Sequence, residues 1–372
     1  MKLGMGLAVL LGFLPLACDR HSNQVLIGGV ATLTGEGASY GLAHRQGYEM
    51  AVEEWNARGG VLGKAIRLDM ADDRGDPAQG AAACKRLIEQ GKVAGLVGAG
   101  LSRVTLAGAP VAQAAGIPMV TPASTHPRIT EVGDCIFRAC YNDAFQGAAG
   151  ARFAHGHLKA RKAACLFDQG NEYTRGLAEV FRDRFTGFGG RVVAYEGHPS
   201  GAADFRAELA RILAAGPEVL YVPDYFGDAG LIARQARELG FKGPLLGADG
   251  WDAPQLVEWG GWALENSFFT SHFTPEDPDP VVQTFVRQFK ARYGVLPDGQ
   301  AALGYDAAVL LLDAIRRADS TDGKAVRKAL TLTDRRMVTG RVRFDAGRNP
   351  VKPFVVMEVK GGKVARRTSM VL

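Results

Sequence analysis

The chain is 372 residues long, 47% hydrophobic and 22% charged, which excludes a disordered polypeptide and suggests two lobes of ordinary domain size. Its net charge of +5 is spread along the sequence, which excludes the basic stripe that a nucleic-acid surface requires. Beyond the N-terminus no segment reaches the roughly 18 unbroken apolar residues of a membrane-spanning helix.

Lys2 precedes an apolar stretch from Leu7 to Leu16, followed by Ala17 and Cys18. One positive charge, a short apolar core and a small residue at its end predict a secretory signal over residues 1–18, hence a periplasmic or other extracytoplasmic location. The run Leu14-Pro15-Leu16-Ala17-Cys18 resembles a bacterial lipoprotein cleavage box, although Pro15 and Leu16 depart from its usual residues. The resemblance implies an acylated Cys18 and gives the chain its one link to a membrane. Four further cysteines are expected as buried thiols: Cys84, Cys135, Cys140 and Cys165. Cys135 and Cys140 flank a strand-like segment whose five-residue span, roughly 16 Å, exceeds disulfide reach. His155 and His157 have no carboxylate or cysteine near them in sequence, so no metal site is expected.

From Val25 the sequence alternates strand and helix. Val25 to Ala31 is a continuous apolar run suited to a buried parallel strand. A helix around Tyr48–Trp55 stops at Gly59-Gly60, and Ile66, Leu68 and Met70 alternate as the next strand. Asp76-Pro77 reads as an N-cap with proline in the first turn. Further strands are expected at Val93–Val97, Pro118–Thr121, Ala163–Phe167, Val192–Tyr195, Val219–Val222 and Leu245–Leu246, with helices between them. Repeated β-α units predict doubly wound parallel sheets, too many for one. The chain divides near Tyr141–Asp143 and returns near His272–Pro280. Residues 24–140 plus 273–347 are expected to form one lobe, and 141–272 plus 348–372 the other. Helical patterns follow at Val281–Tyr293 and Ala301–Arg317, and Val342–Phe344 with Phe354–Val359 reads as an antiparallel hairpin around Asn349-Pro350.

Such sheets bind ligands at the C-terminal ends of their strands. The loops there carry Thr34–Gly41 with Tyr40, Gly98–Ser102, and Thr121–Thr125 with Ala123 and Ser124. The second half supplies Asp168–Tyr173, Asp224-Tyr225-Phe226 and Ala248-Asp249-Gly250-Trp251. Hydroxyls, helix N-termini, aromatic rings and carboxylates without a nucleophile or a paired histidine suit the binding of a zwitterion. Ser102 and Thr125 face a carboxylate at helix N-termini, Asp249 pairs with an ammonium, and tyrosines seal the cleft.

The segments Leu33–Gly41, Asn56–Lys64, Asp72–Pro77, Pro122–Thr125, Phe137-Arg138 with Asp143 and Gln146-Gly147, and Gly304–Ala308 resemble the branched-chain amino-acid binding proteins of ABC importers. The likeness runs from about residue 25 to 360. It implies two α/β lobes joined by three crossovers, closure by hinge bending, and delivery of an amino acid to an importer permease. The loop residues themselves predict no enzyme activity and no cofactor, and one polypeptide supplying both lobes predicts a monomer. By position the likeness implies Ser102 and Thr125 as carboxylate contacts. The Ala123 carbonyl, the Thr125 hydroxyl and Asp249 become ammonium contacts, and Tyr40, Tyr173 and Tyr225 cleft-lining rings. Asp249 replaces a glutamate, Leu101 a cysteine, and Gln300 stands where an aromatic residue can line the side-chain pocket. With Trp251 nearby, the class of ligand is clearer than its side chain. Two rivals remain. Gly98-Ala-Gly100-Leu-Ser-Arg103 superficially suggests a nicotinamide fingerprint, but Arg103 occupies its third glycine position. A sensor of the same fold for amides, urea or another small solute is the alternative function.

Overall fold

A computed structural model describes residues 24–370, so the signal-like segment and Cys18 lie outside the described residues. The chain opens with β1 (Gln24–Ala31), α1 (Ala38–Ala57), β2 (Ala65–Asp72), α2 (Pro77–Glu89), β3 (Gly95–Val97), α3 (Ser102–Ala114), β4 (Met119–Thr121), α4 (Arg128–Glu131) and β5 (Ile136–Arg138). These strands form one parallel sheet in the order β2-β1-β3-β4-β5. The apolar run in β1 places that strand inside the sheet, as a strand buried on both faces requires.

The second lobe repeats the pattern with α5 (Asp143–Gly156), β6 (Lys162–Asp168), α6 (Glu172–Gly187), β7 (Arg191–His198), α7 (Arg206–Ala214), β8 (Val219–Tyr221), α8 (Phe226–Glu238), β9 (Leu245–Gly247), α9 (Gln255–Gly260) and β10 (Ser267–Ser271). The chain then returns to the first lobe as α10 (Pro280–Tyr293), α11 (Gly299–Ala318), α12 (Gly323–Thr331) and a separate two-stranded sheet of β11 (Asp334–Met337) and β12 (Gly340–Arg343). Helix α11 lies along α1 and covers β3 and β4, so Leu303, Leu310 and Leu311 share a core with Val25, Ile27 and Tyr48. A last crossing delivers β13 (Phe354–Lys360) and β14 (Lys363–Met370) to the second sheet. That sheet runs β14-β13-β10-β9-β8-β6-β7, five parallel strands with an antiparallel pair at one edge.

The expected hairpin between 342–344 and 354–359 does not form. Phe344 and Pro350 make only an isolated bridge, because the chain is changing lobes there. Two tight turns supply the hairpins instead. Gly361 and Gly362, at φ 56° and 71°, close β13 onto β14 with the two left-handed residues such a turn needs. The other hairpin joins β11 to β12 at Gly340. Cys84, Cys135, Cys140 and Cys165 are free and buried, and burial pushes Cys84 and Cys140 up to about 12.

A cavity between the lobes

Asp72 and Asp73, at the end of β2, hold the loop that leads into α1. Asp72 Oδ1 accepts from the backbone N–H of Leu33 at 2.8 Å and Asp72 Oδ2 from the Thr34 hydroxyl at 2.6 Å, while Asp73 Oδ1 accepts from the Thr32 hydroxyl at 2.7 Å. Helix α1 therefore starts in a fixed place and presents Tyr40 to the opposite lobe. From the first lobe Tyr40, Leu101, Ser102, Ala123 and Gln300 line a small cavity, and from the second Tyr173, Tyr225 and Asp249. Its free volume is about 20 Å³, little more than a water-sized space. The lobes already touch across it, the Tyr40 hydroxyl donating to the Gly250 carbonyl.

Asp249 is the centre of the polar arrangement. Its Oδ1 accepts from the Tyr173 hydroxyl at 2.7 Å and from Gln146 Nε2 at 2.8 Å, and His272 Nε2 lies 2.9 Å from Oδ2. Gln146 Oε1 accepts in turn from the Asp249 N–H at 3.0 Å, which locks the carboxylate in orientation. Burial pushes His272 down to about 4 despite its carboxylate partner, so the ring is neutral and donates from Nε2. Burial raises the Tyr173 and Tyr40 phenols well above their ordinary range, so both hydroxyls stay donors. Burial, and then the neighbouring Asp249, push the Asp143 carboxyl up to about 8. No lysine or arginine lines the cavity, so its charged group is Asp249.

The aromatic wall is continuous. Tyr173 stacks on Tyr225 with centroids 5.1 Å apart and planes 8° from parallel, and Tyr40 packs against Tyr225 and the edge of Phe226. On the first-lobe side the Ser102 hydroxyl opens α3 and accepts from the His126 N–H at 3.3 Å, leaving its own proton available. Ser102 is the first residue of α3, where backbone N–H groups lack intrahelical partners, and the Val104 N–H two residues on already donates to the Leu101 carbonyl at 3.1 Å. Outside Tyr40, Leu101 and Tyr225 the cleft widens into a chamber of about 790 Å³ walled by Phe226, Leu231 and Trp259.

Not every residue expected at the site reaches the cavity. Trp251 is a correction: its indole N–H donates to the Val222 carbonyl at 2.9 Å and its ring fills the space over Gly247, inside the core of the second lobe. Ser124 is another, because its hydroxyl is bound below the surface to Thr105 at 2.6 Å and to the Ala99 carbonyl at 3.0 Å. Thr125 also stands outside the lining, with Oγ1 buried and without a hydrogen-bond partner. Gly100 and Gly250 line the cavity from two of the expected loops, whereas His44 lies in none of them. The spacing of His44 from Tyr40, one helical turn on α1, was the signal available for it. Gln146 and His272, which hold Asp249, are contributed from α5 and the loop after β10.

The family model described as "periplasmic binding protein" matches residues 24–363. An "amino acid binding protein" of Pseudomonas aeruginosa is 33% identical over 340 residues, 90% of each chain. Among solved structures, a leucine-binding protein LivK of Thermotoga maritima superposes with a TM-score of 0.89 at 37% identity, covering 93% of this chain and 99% of its own. The branched-chain amino-acid transporter substrate-binding protein LivJ of Streptococcus pneumoniae, in complex with isoleucine, gives 0.88 at 31% identity, covering 94% and 99%.

Proposed function

The chain belongs to the periplasmic binding protein family, and from that premise we propose that it captures one free amino acid between its lobes and delivers it to an ABC importer. The observation that carries this reading is the oriented Asp249 carboxylate in a cavity without a cation, facing the Ser102 hydroxyl and the Ala123 backbone across the cleft. An α-ammonium is the group that neutralises Asp249 with the best geometry. An α-carboxylate suits the hydroxyl and free N–H groups at the start of α3, where the helix dipole favours an anion. The names of the relatives support the reading: amino-acid binding for one, leucine binding for a second and bound isoleucine for a third.

The ligand is held and released without chemical change. It enters through the chamber bounded by Phe226 and Trp259, and the crossings near residues 141, 273 and 348 bend to admit it. Contacts to Tyr173, Tyr225 and Asp249 are made only when the lobes close, and they shift the population toward the closed form that the permease recognises. The protein works as a monomer outside the cytoplasmic membrane, with an acylated Cys18 as its anchor.

A thermal-shift screen of the protein without its first 22 residues, against the twenty amino acids, tests the proposal. A ligand at 100 times its dissociation constant stabilises the fold by about 2.7 kcal/mol. Stabilisation by one amino acid or a small group of them, lost in Asp249→Ala, is expected, since removing the carboxylate leaves a buried ammonium unpaired at about 3 kcal/mol or more. Shifts only with aromatic acids, amides or urea would overturn the zwitterion site.

A further inference from the structure

Two polar side chains in the cavity wall have no role in holding an α-ammonium or α-carboxylate. His44, on α1, and Gln300, in the first turn of α11, are 1% and 4% exposed and both line the cavity. Their protons can be assigned. Gln300 Nε2 donates to the Asp249 carbonyl at 3.4 Å, so the atom turned to His44 is Oε1, 2.9 Å from His44 Nε2. An amide oxygen only accepts, so His44 carries its proton on Nε2 and keeps a lone pair on Nδ1. Burial pushes His44 down to about 4, so the ring stays neutral.

That Nδ1 is buried and has no hydrogen-bond partner. It lies on the ring edge turned toward Gly100, where a Cβ would fall 2.3 Å from Cε1 and 2.7 Å from Nδ1. Gly100 and His44 both line the cavity, and with no side chain at Gly100 nothing but its backbone stands beside this ring edge. Gln300 Nε2 has a second hydrogen beyond the one in its long contact to Asp249. An aliphatic ligand side chain would close over this acceptor and leave it unpaired, which costs free energy. An ionised acidic side chain has no proton for Nδ1 and would be buried in the same cavity as Asp249.

Resting on the amino-acid reading, we infer that His44 and Gln300 select the ligand's side chain. His44 Nδ1 accepts a hydrogen bond from it and Gln300 Nε2 donates one to it, so an uncharged hydroxyl or carboxamide side chain is preferred to an aliphatic one of the same shape. A site built to hydrogen-bond a polar group rejects the isostere that lacks it far better than an apolar pocket rejects an added hydroxyl. Titration calorimetry with two near-isosteric pairs, asparagine against leucine and threonine against valine, reads the preference directly in the unaltered chain. The polar member of at least one pair is expected to bind about tenfold tighter or more, and the preference to collapse in His44→Phe and Gln300→Leu. Leucine and valine binding as tightly as their polar isosteres would overturn the inference while leaving the amino-acid site standing. A polar preference that survives in both variants overturns its assignment to these residues. Heat from no amino acid at all would remove the amino-acid reading and the inference with it.

Discussion

His272 shows how one buried side chain ties the site to the stability of the whole chain. It lies face to face with Tyr141, ring centroids 3.7 Å apart, and its Nδ1 has no partner. Because its folded pKa is lowered from 6.5 to about 4, the unfolded chain takes up a proton that the folded chain refuses. Its contribution to stability therefore falls as the pH drops from 6.5 and levels off near 4, at about 1.4 kcal/mol for each pH unit. His272→Gln keeps a donor for Asp249 and has no such titration. Urea unfolding at pH 7 and pH 4 should show the variant losing about 3 kcal/mol less than the parent on acidification. Tyr40, Ser102, Ala123, Tyr173, Tyr225 and Asp249 reach the cavity as the loop positions suggested. Trp251 does not, because neighbours in a short turn point in different directions and loop position alone carries no side-chain direction. His44 was hidden inside a helix, where only its spacing from Tyr40 could have marked it.

Among the elements, local signals with a defined chemistry were read well and long-range pairing was not. Asp76 caps α2 as expected, its Oδ1 accepting from the Gln79 N–H at 2.8 Å with Pro77 in the first turn. Asp76→Ala should lower stability by about 1 kcal/mol in urea unfolding with little change in slope. Strand β1 was legible because a buried parallel strand is apolar throughout. The pairing of Val342–Phe344 with Phe354–Val359 was misread, because alternation reports a half-buried strand without naming its partner. What decided the pairing was Gly361-Gly362 at one turn and the lobe crossing at Asn349-Pro350. Gly95–Val97 and Met119–Thr121 are shorter than the expected Val93–Val97 and Pro118–Thr121, because Val93, Ala94 and Pro118 are buried apolar residues of the turns that lead into the strands, and burial alone does not mark where a strand begins.

For the whole molecule, the two lobes meet through few polar contacts, and the Tyr40–Gly250 bond is one of them. The Phe226 N–H also points at the Tyr40 hydroxyl, at 3.4 Å, so this oxygen joins α1 to two segments of the opposite lobe. Tyr40→Phe keeps the ring packing against Tyr225 and Phe226 and removes only that junction. It should weaken amino-acid binding about fivefold, from the loss of about 1 kcal/mol of closed-state stabilisation. Small-angle scattering should find the variant more expanded than the parent at the same ligand concentration. At the crossings themselves, Lys352 Nζ donates to the Ala139 carbonyl at 2.8 Å and to the Thr339 hydroxyl at 2.7 Å, which clamps the segments that join the lobes. The return of α11 to the first sheet has a consequence for how the chain is made. Leu303, Leu310 and Leu311 complete a core begun by Val25, Ile27 and Tyr48, so that half-built lobe waits for most of the polypeptide to be synthesised. At about 5–20 residues per second the wait is on the order of ten seconds or more. Through that interval the newborn segment cannot lock into its final packing, and a chain so delayed remains threadable through a narrow translocation channel until nearly all of it exists.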